Sequence, residues 1–350
     1  MKSLKRIAAA ALAVLVMAVY LLPAVPASAA TSASLSIVPK KNYVIEPGKT
    51  VNDSLVIRNL DRTEPLTLTL RVVDFTYTDD GGAPKLDLSE DAPQTAWSLR
   101  PYLDVPTNVT VDPSSSETVE LSVAFPSDNT AGSYYSAIVY SSGEPVDGGN
   151  VGLSASGVTL VFASIPGEVQ ESLTLEKFGA YNEKTKKYSF ITADMPQTIA
   201  YTLKNEGNVT EGPVGSITLK DMFGGERTIN NVNPNGSLAL IGQTRTFISC
   251  IQLKSENVEL AGTTTTTNGC ADPGLWPGFY TATLNLFYGQ NGNRTQEITG
   301  VAHFFYLPWW FVIILVIILA SLAFGIWRIV RMIRSKRRNV SLRKSLRRSR

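Results

Sequence analysis

Leu66-Thr-Leu-Thr-Leu-Arg-Val72 alternates apolar and polar residues without a break. In an extended chain successive side chains point to opposite faces, so Leu66, Leu68, Leu70 and Val72 share one face and Thr67, Thr69 and Arg71 the other. The stretch is therefore a half-buried strand, with one face on a core and one in water. Thr118 to Phe125 repeats the pattern with Val119, Leu121, Val123 and Phe125. Between such runs lie the turn clusters Asp79-Asp-Gly-Gly82, Asp112-Pro-Ser-Ser115 and Ser127-Asp-Asn129. No convincing amphipathic helix interrupts residues 30–305. Many short antiparallel strands punctuated in this way predict an all-β fold of β-sandwiches.

A long-period repeat predicts two of them. Leu55-Val-Ile-Arg-Asn59, a turn to Pro65 and a strand ending at Phe75 are matched by Tyr201-Thr-Leu-Lys-Asn205, a turn to Pro213 and a strand ending at Phe223. Ala131 to Tyr140 is matched by Pro277 to Leu286, and each copy opens with Gly-x-Tyr. Tyr134 and Tyr280 thereby take the place of the tyrosine corner of immunoglobulin-like domains. The copies lie about 146 residues apart, too far for a solenoid and right for tandem domains. The expected division is a first immunoglobulin-like sandwich over 30–166 and a second over 167–305.

The two ends of the chain frame these domains. Trp309 to Trp327 is nineteen residues without a charge. As a helix it spans about 28 Å, close to the hydrocarbon thickness of a bilayer. A buried core helix is the alternative, but such a run has no polar face. A transmembrane helix is expected over 306–327, followed by a basic tail over 328–350 into which Arg328, Arg331 and Arg334, at helical spacing, continue the helix. That tail holds eleven Lys or Arg and no acid, which predicts a cytoplasmic C-terminus in contact with anionic lipids. All 30 acidic residues fall in the external part, which carries −12 against the tail's +11. An acidic ectodomain of this kind argues against nucleic acid as a partner. At the other end, Met1-Lys-Ser-Leu-Lys-Arg6, an apolar run to Leu22 and Ala27-Ser-Ala29 predict a signal peptide over 1–29, with an uncleaved anchor as the alternative.

Chemistry is sparse. Cys250 and Cys270 are the two cysteines, and an isolated pair in a secreted segment predicts a disulfide, with two free thiols as the alternative. The bond would tie down the threonine tract Thr263 to Thr267, expected as a loop. His303 is the one histidine, which leaves Ser-His-Asp and Cys-His hydrolysis and multi-His metal sites without their residues. No P-loop, dinucleotide fingerprint or EF-hand loop is present, so no cofactor and no enzyme activity are expected. Asp79-Asp-Gly-Gly82 is expected as a hairpin turn rather than a weak calcium site.

From Ser34-Leu-Ser-Ile-Val-Pro39 through "VIRNLDRTEPLTLTLRVVDF", the segment around Trp97, "VTVDPSSSETVELSVAFP" and "AGSYYSAIVYSSG", the first domain resembles that of the WxL-interacting surface proteins of Gram-positive bacteria. That resemblance implies a membrane-anchored binding protein whose first domain associates with peptidoglycan and whose second takes host ligands. Cys250 and Cys270 depart from the family pattern. Thr67, Thr69 and Arg71 beside Tyr102, Tyr134, Tyr135 and Tyr140 are the residues expected to suit a cell-wall polymer or surface protein. The competing expectation is an extracytoplasmic assembly scaffold or chaperone-like protein that lends a sheet edge to a secreted partner, with Gly157 to Ile165 as a candidate edge and a buried final strand as the ordinary reading of that run.

Overall fold

The computed structural model describes residues 35–78, 82–89, 93–142, 154–260, 263–289 and 294–348. The predicted leader and the apex of the Asp79–Gly82 turn lie outside them. The N-terminal half forms β1 (Leu35–Ser36), β2 (Lys40–Val44), β3 (Thr50–Asn59), β4 (Leu66–Val73), β5 (Phe75–Tyr77), β6 (Pro84–Leu86), β7 (Leu103–Asp104), β8 (Asn108–Val111), β9 (Ser116–Ala124), β10 (Gly132–Ser142) and β11 (Ser154–Ile165). One sheet has the order β1-β3-β9-β7 and faces a second of order β2-β11-β10-β4-β8. Leu68, Leu70, Val119, Leu121, Val123 and Phe125 meet between them, so the alternating strands bury the faces their sequences predict.

The C-terminal half repeats this plan. Its strands are β12 (Leu173–Asn182), β13 (Lys187–Tyr188), β14 (Ile191–Thr192), β15 (Thr198–Asn205), β16 (Val214–Asp221), β17 (Glu226–Asn230), β18 (Thr244–Cys250), β19 (Leu253–Leu260), β20 (Thr263–Cys270), β21 (Gly278–Tyr288) and β22 (Gln296–Tyr306). Sheets β13-β12-β15-β18 and β14-β22-β21-β16-β17 enclose a core that includes Tyr201, Ile217, Leu284 and Phe304. In both halves a short strand runs parallel to the last long one, β2 on β11 and β14 on β22. The chain is all-β with two sandwiches of like topology, and ends in a helix, α1 (Trp309–Arg348).

The repeated residues serve repeated corners. The Tyr134 hydroxyl donates to the Thr130 carbonyl at 3.0 Å, and that of Tyr280 to the Trp276 carbonyl at 2.8 Å, each four residues upstream. Both tyrosines follow a glycine at positive φ, Gly132 at 151° and Gly278 at 157°. Asn59 and Asn205, the last residues of the other repeated motif, are fully buried. Asn59 donates to the carbonyls of Glu64 and Val111, while its own carbonyl accepts from the Asp61 amide. Asn205 likewise donates to Val209 and Ala239 and accepts from Gly207. A single side chain thus bonds to three backbone groups as the chain turns out of its strand, where burial makes unpaired groups costly.

One expectation needs correction. The threonine tract is not a loop: Thr263 to Thr267 belong to β20, paired antiparallel with Glu256 to Leu260. Thr and other β-branched residues favour the extended backbone, and Cys250–Cys270 closes the base of that hairpin. Of the two readings of Gly157 to Ile165, the buried final strand holds and the edge does not, because β11 lies between β10 and β2. The helix continues past Trp327 to Arg348, in keeping with the helical spacing of Arg328, Arg331 and Arg334, and its 26-residue stretch Trp309–Arg334 is long and apolar enough to cross a membrane. Cys250→Ser should lower stability by about 3 kcal/mol, the chain-entropy value for a loop of this size. Denaturant titration of the full chain checks this; an unchanged midpoint would mean that the hairpin closes without its crosslink.

Candidate binding cleft at the seam of the two sandwiches

β10 is buried along nearly its whole length, which a strand with one wet face is not. Tyr134, Ile138 and Tyr140 face the first core. Tyr135, Ala137 and Val139 face the other way, into a third apolar cluster with Val73, Phe75 and Phe162. Leu240 and Ile241, from the turn that leads into β18, complete that cluster. Phe75 stands edge-on to both Tyr135 and Phe162, with ring centroids 5.5 and 5.9 Å away. The two sandwiches therefore share an apolar seam.

Polar contacts fix its geometry. The Tyr77 amide donates to the Gln243 side-chain carbonyl at 3.1 Å. The Arg245 guanidinium lies over the Tyr77 ring at 4.4 Å and near Phe247 at 5.1 Å, while one of its nitrogens donates to the Leu238 carbonyl. Burial pushes its pKa down, and the adjacent tyrosines oppose that shift. On the other side of the seam, the Ser133 amide donates to the Asn208 carbonyl, and the Thr210 amide to the Ser133 hydroxyl, both at 3.0 Å. A Cβ on Gly132 would come within 2.7 Å of that Asn208 carbonyl, so only glycine permits the approach.

Between the β5–β6 hairpin, the segment around Trp97 and the turn before β18 lies a cleft of about 500 Å³. Phe75, Trp97, Tyr135 and Ile241 give it apolar walls, and Asp74, Lys85 and Gln243 stand among them. One Asp74 oxygen accepts from the hydroxyls of Ser98 at 2.7 Å and Ser136 at 3.0 Å. The other is buried without a hydrogen bond, 3.8 Å from the Arg100 guanidinium. The cleft thus combines ring faces, a fixed carboxylate and a cation, a set suited to binding.

The cleft opens beside an unpaired strand. β18 ends its sheet, hydrogen-bonded through seven residues to β15 and to no strand on its other side among the described residues. Its first residue, Thr244, follows Gln243 at the seam, and its last, Cys250, lies at the far end of the second sandwich. An edge of this kind offers a row of backbone donors and acceptors to another extended chain.

The residues expected to form a ligand face are dispersed. Thr67 and Thr69 bond to Thr110 and Asn108 across the edge of their sheet. Arg71 reaches the Leu88 carbonyl. Tyr134, Tyr135 and Tyr140 are all buried and cannot present rings to a polymer, and Tyr102 packs on Phe125 and Tyr134. The aromatic row is interior because β10 is covered on both faces. His303 is exposed, stacked on Phe279 at 5.3 Å, with its Nδ1 3.2 Å from the Thr281 hydroxyl. No group of three or more metal-binding side chains occurs among the described residues.

One further group is unusual. Glu211 is buried, with one carboxylate oxygen accepting from the Gly289 amide at 3.2 Å and the other unbonded. Burial, and then the charge of nearby Glu171, raise its pKa to about 7.

No family model and no curated protein matches the chain. Solved structures that superpose on it include a class 5 fimbriae chaperone, CfaA, at 13% identity and a TM-score of 0.34, covering 76% of this chain and 98% of that one. The Escherichia coli chaperone DraB gives 14% identity and a TM-score of 0.31, covering 78% and 98%. The Pseudomonas aeruginosa CupB2 chaperone gives 11% identity and a TM-score of 0.29, covering 74% and 96%.

Proposed function

We propose that the chain is a membrane-anchored, extracytoplasmic, non-catalytic binding protein that holds an extended segment of a secreted or surface protein along β18. The open edge of that strand, seven residues long and starting at the seam cleft, is the observation that carries this reading. Strand addition draws affinity from main-chain hydrogen bonds and specificity from pockets beside the edge. Trp97, half-buried over the floor of the cleft formed by Phe75 and Ile241, supplies such a contact for one apolar or aromatic side chain of the partner, with Asp74 and Lys85 for a polar neighbour. Peptide backbone matches the edge better than a glycan does, and with Tyr134, Tyr135 and Tyr140 buried the cell-wall polymer loses the ring faces expected to receive it. Anchoring follows from α1, whose apolar stretch precedes a basic tail.

Photo-crosslinking in intact cells tests the proposal. A photoreactive amino acid at position 244 or 85 should capture a secreted or surface protein, and the same residue at the exposed position 299 should not. Capture from all three positions alike, or of glycan fragments at 244, would overturn it.

A further inference from the structure

The end of the second sandwich nearest α1 is apolar in a way that its fold does not require. β22 stops at Tyr306 and α1 begins at Trp309, with only Leu307 and Pro308 between. The Leu307 amide donates to the Thr192 carbonyl at 2.8 Å, and the Pro308 carbonyl accepts from the amides of Phe311 and Val312. The helix is therefore tied to the sandwich without a slack stalk.

Strand register brings three other segments to the same end. Gly278 pairs with Tyr306, which places the turn before β21 there. Asp221 pairs with Tyr280, which places the β16–β17 hairpin beside it. Ile191 pairs with Phe305, which adds Phe190 and Ile191. The large apolar side chains of these segments are bare: Phe223 is 79% exposed, Trp276 76%, Ile191 62% and Phe190 59%. Phe223 sits on a fixed tip, because one Asp221 oxygen accepts from the amides of both Phe223 and Gly225 at 2.8 Å. Met222 packs over Gly278, joining that tip to the turn that carries Trp276.

We infer that Phe190, Ile191, Met222, Phe223 and Trp276 form a collar that enters the interfacial layer of the bilayer around α1. The inference rests on the membrane-anchor reading above. Its occupant is the lipid surface because the collar is continuous with the helix: Trp309 and Trp310 open α1 and are themselves exposed. The Trp276 indole, with an apolar body and a polar N–H, suits headgroup depth, and the apolar Phe190, Ile191, Met222 and Phe223 gain by leaving water there. Contact at several points around the helix fixes the tilt of the second sandwich, and with it the orientation of β18, whose Cys250 end lies near the membrane and whose Thr244 end lies away from it.

The test is photolabelling of the full chain in phosphatidylcholine vesicles that include a phosphatidylcholine bearing a diazirine close to its ester carbonyls. Adducts mapped by mass spectrometry should fall on the peptides containing Phe223 and Trp276 as well as on α1. Phe223→Asp combined with Trp276→Asp should lose the loop adducts and keep those on the helix, and the milder Phe223→Ser should lose the hairpin adduct alone. Helix adducts without loop adducts in the wild type would overturn the collar and leave the anchor standing. Crosslinks from these loops to a second copy or another protein in place of lipid would also overturn it. Adducts absent from α1 as well would remove the anchor and the collar together.

Discussion

Asn205→Ala should destabilise the second sandwich by about 3–5 kcal/mol, one of the two largest effects expected of a single substitution outside the apolar cores. The side chain is fully buried and donates to Val209 and Ala239 while accepting from Gly207. Alanine leaves the Val209 carbonyl and the Gly207 amide without this partner and removes one of two bonds to the Ala239 carbonyl, which keeps the Glu211 amide, at roughly 1–3 kcal/mol for each unpaired group. Asn59→Ala should act alike on the first sandwich, where Glu64, Val111 and Asp61 lose the same three bonds. Denaturant titration with amide exchange on β15 and β3 separates the two, since each variant should open its own sandwich first. A loss below about 1 kcal/mol would show that water replaces the side chain and that the corner does not hold the turn.

Glu211→Gln should stabilise the protein increasingly as pH rises from 5 to 8. The folded-state pKa of Glu211 is raised to about 7, above its value of 4.5 as a free side chain. The unfolded chain therefore releases this proton at lower pH than the folded one. The contribution of Glu211 to stability is full below pH 4.5, declines as pH rises and is lost once pH has passed 7. The full span corresponds to on the order of 3 kcal/mol. Glutamine keeps an acceptor for the Gly289 amide and carries no charge, so its advantage should be small near pH 5 and largest at pH 8. Thermal melts of the two full-length proteins across that range give the comparison. Parallel melting curves would mean that Glu211 ionises normally despite its burial.

The sandwiches were legible because their evidence is local. Leu66 to Val72 and Thr118 to Phe125 each carry period-two alternation, and a core on one side is the direct consequence. The tyrosine corners were legible too, since Gly132 and Gly278 mark the turns and Tyr134 and Tyr280 follow at fixed spacing. The asparagines stood inside the repeated motifs, yet nothing local says that Asn59 turns inward; their recurrence at matching positions was the usable signal. The seam was not legible. Tyr135, Ala137 and Val139 read as an outward face until Leu240 and Ile241, a hundred residues later, close over them. Tyr135 proved to be interior for that reason, whereas Tyr134 and Tyr140 are buried in the first sandwich's own core. The proposed collar was not legible because Phe190, Phe223 and Trp276 lie in separate turns, and only strand register brings them to one end of the second sandwich.

Hydrogen exchange on the full chain, alone and with a co-purified partner bound, tests most directly the claim that a partner adds a strand at β18. Backbone groups on an open edge exchange quickly unless another strand pairs with them. The account predicts that partner binding slows exchange across Thr244–Cys250 and in the Trp97 segment beside the cleft. Protection confined to the outer face of β3 and β9, around Asn52 and Ser122, with β18 unchanged, would contradict it.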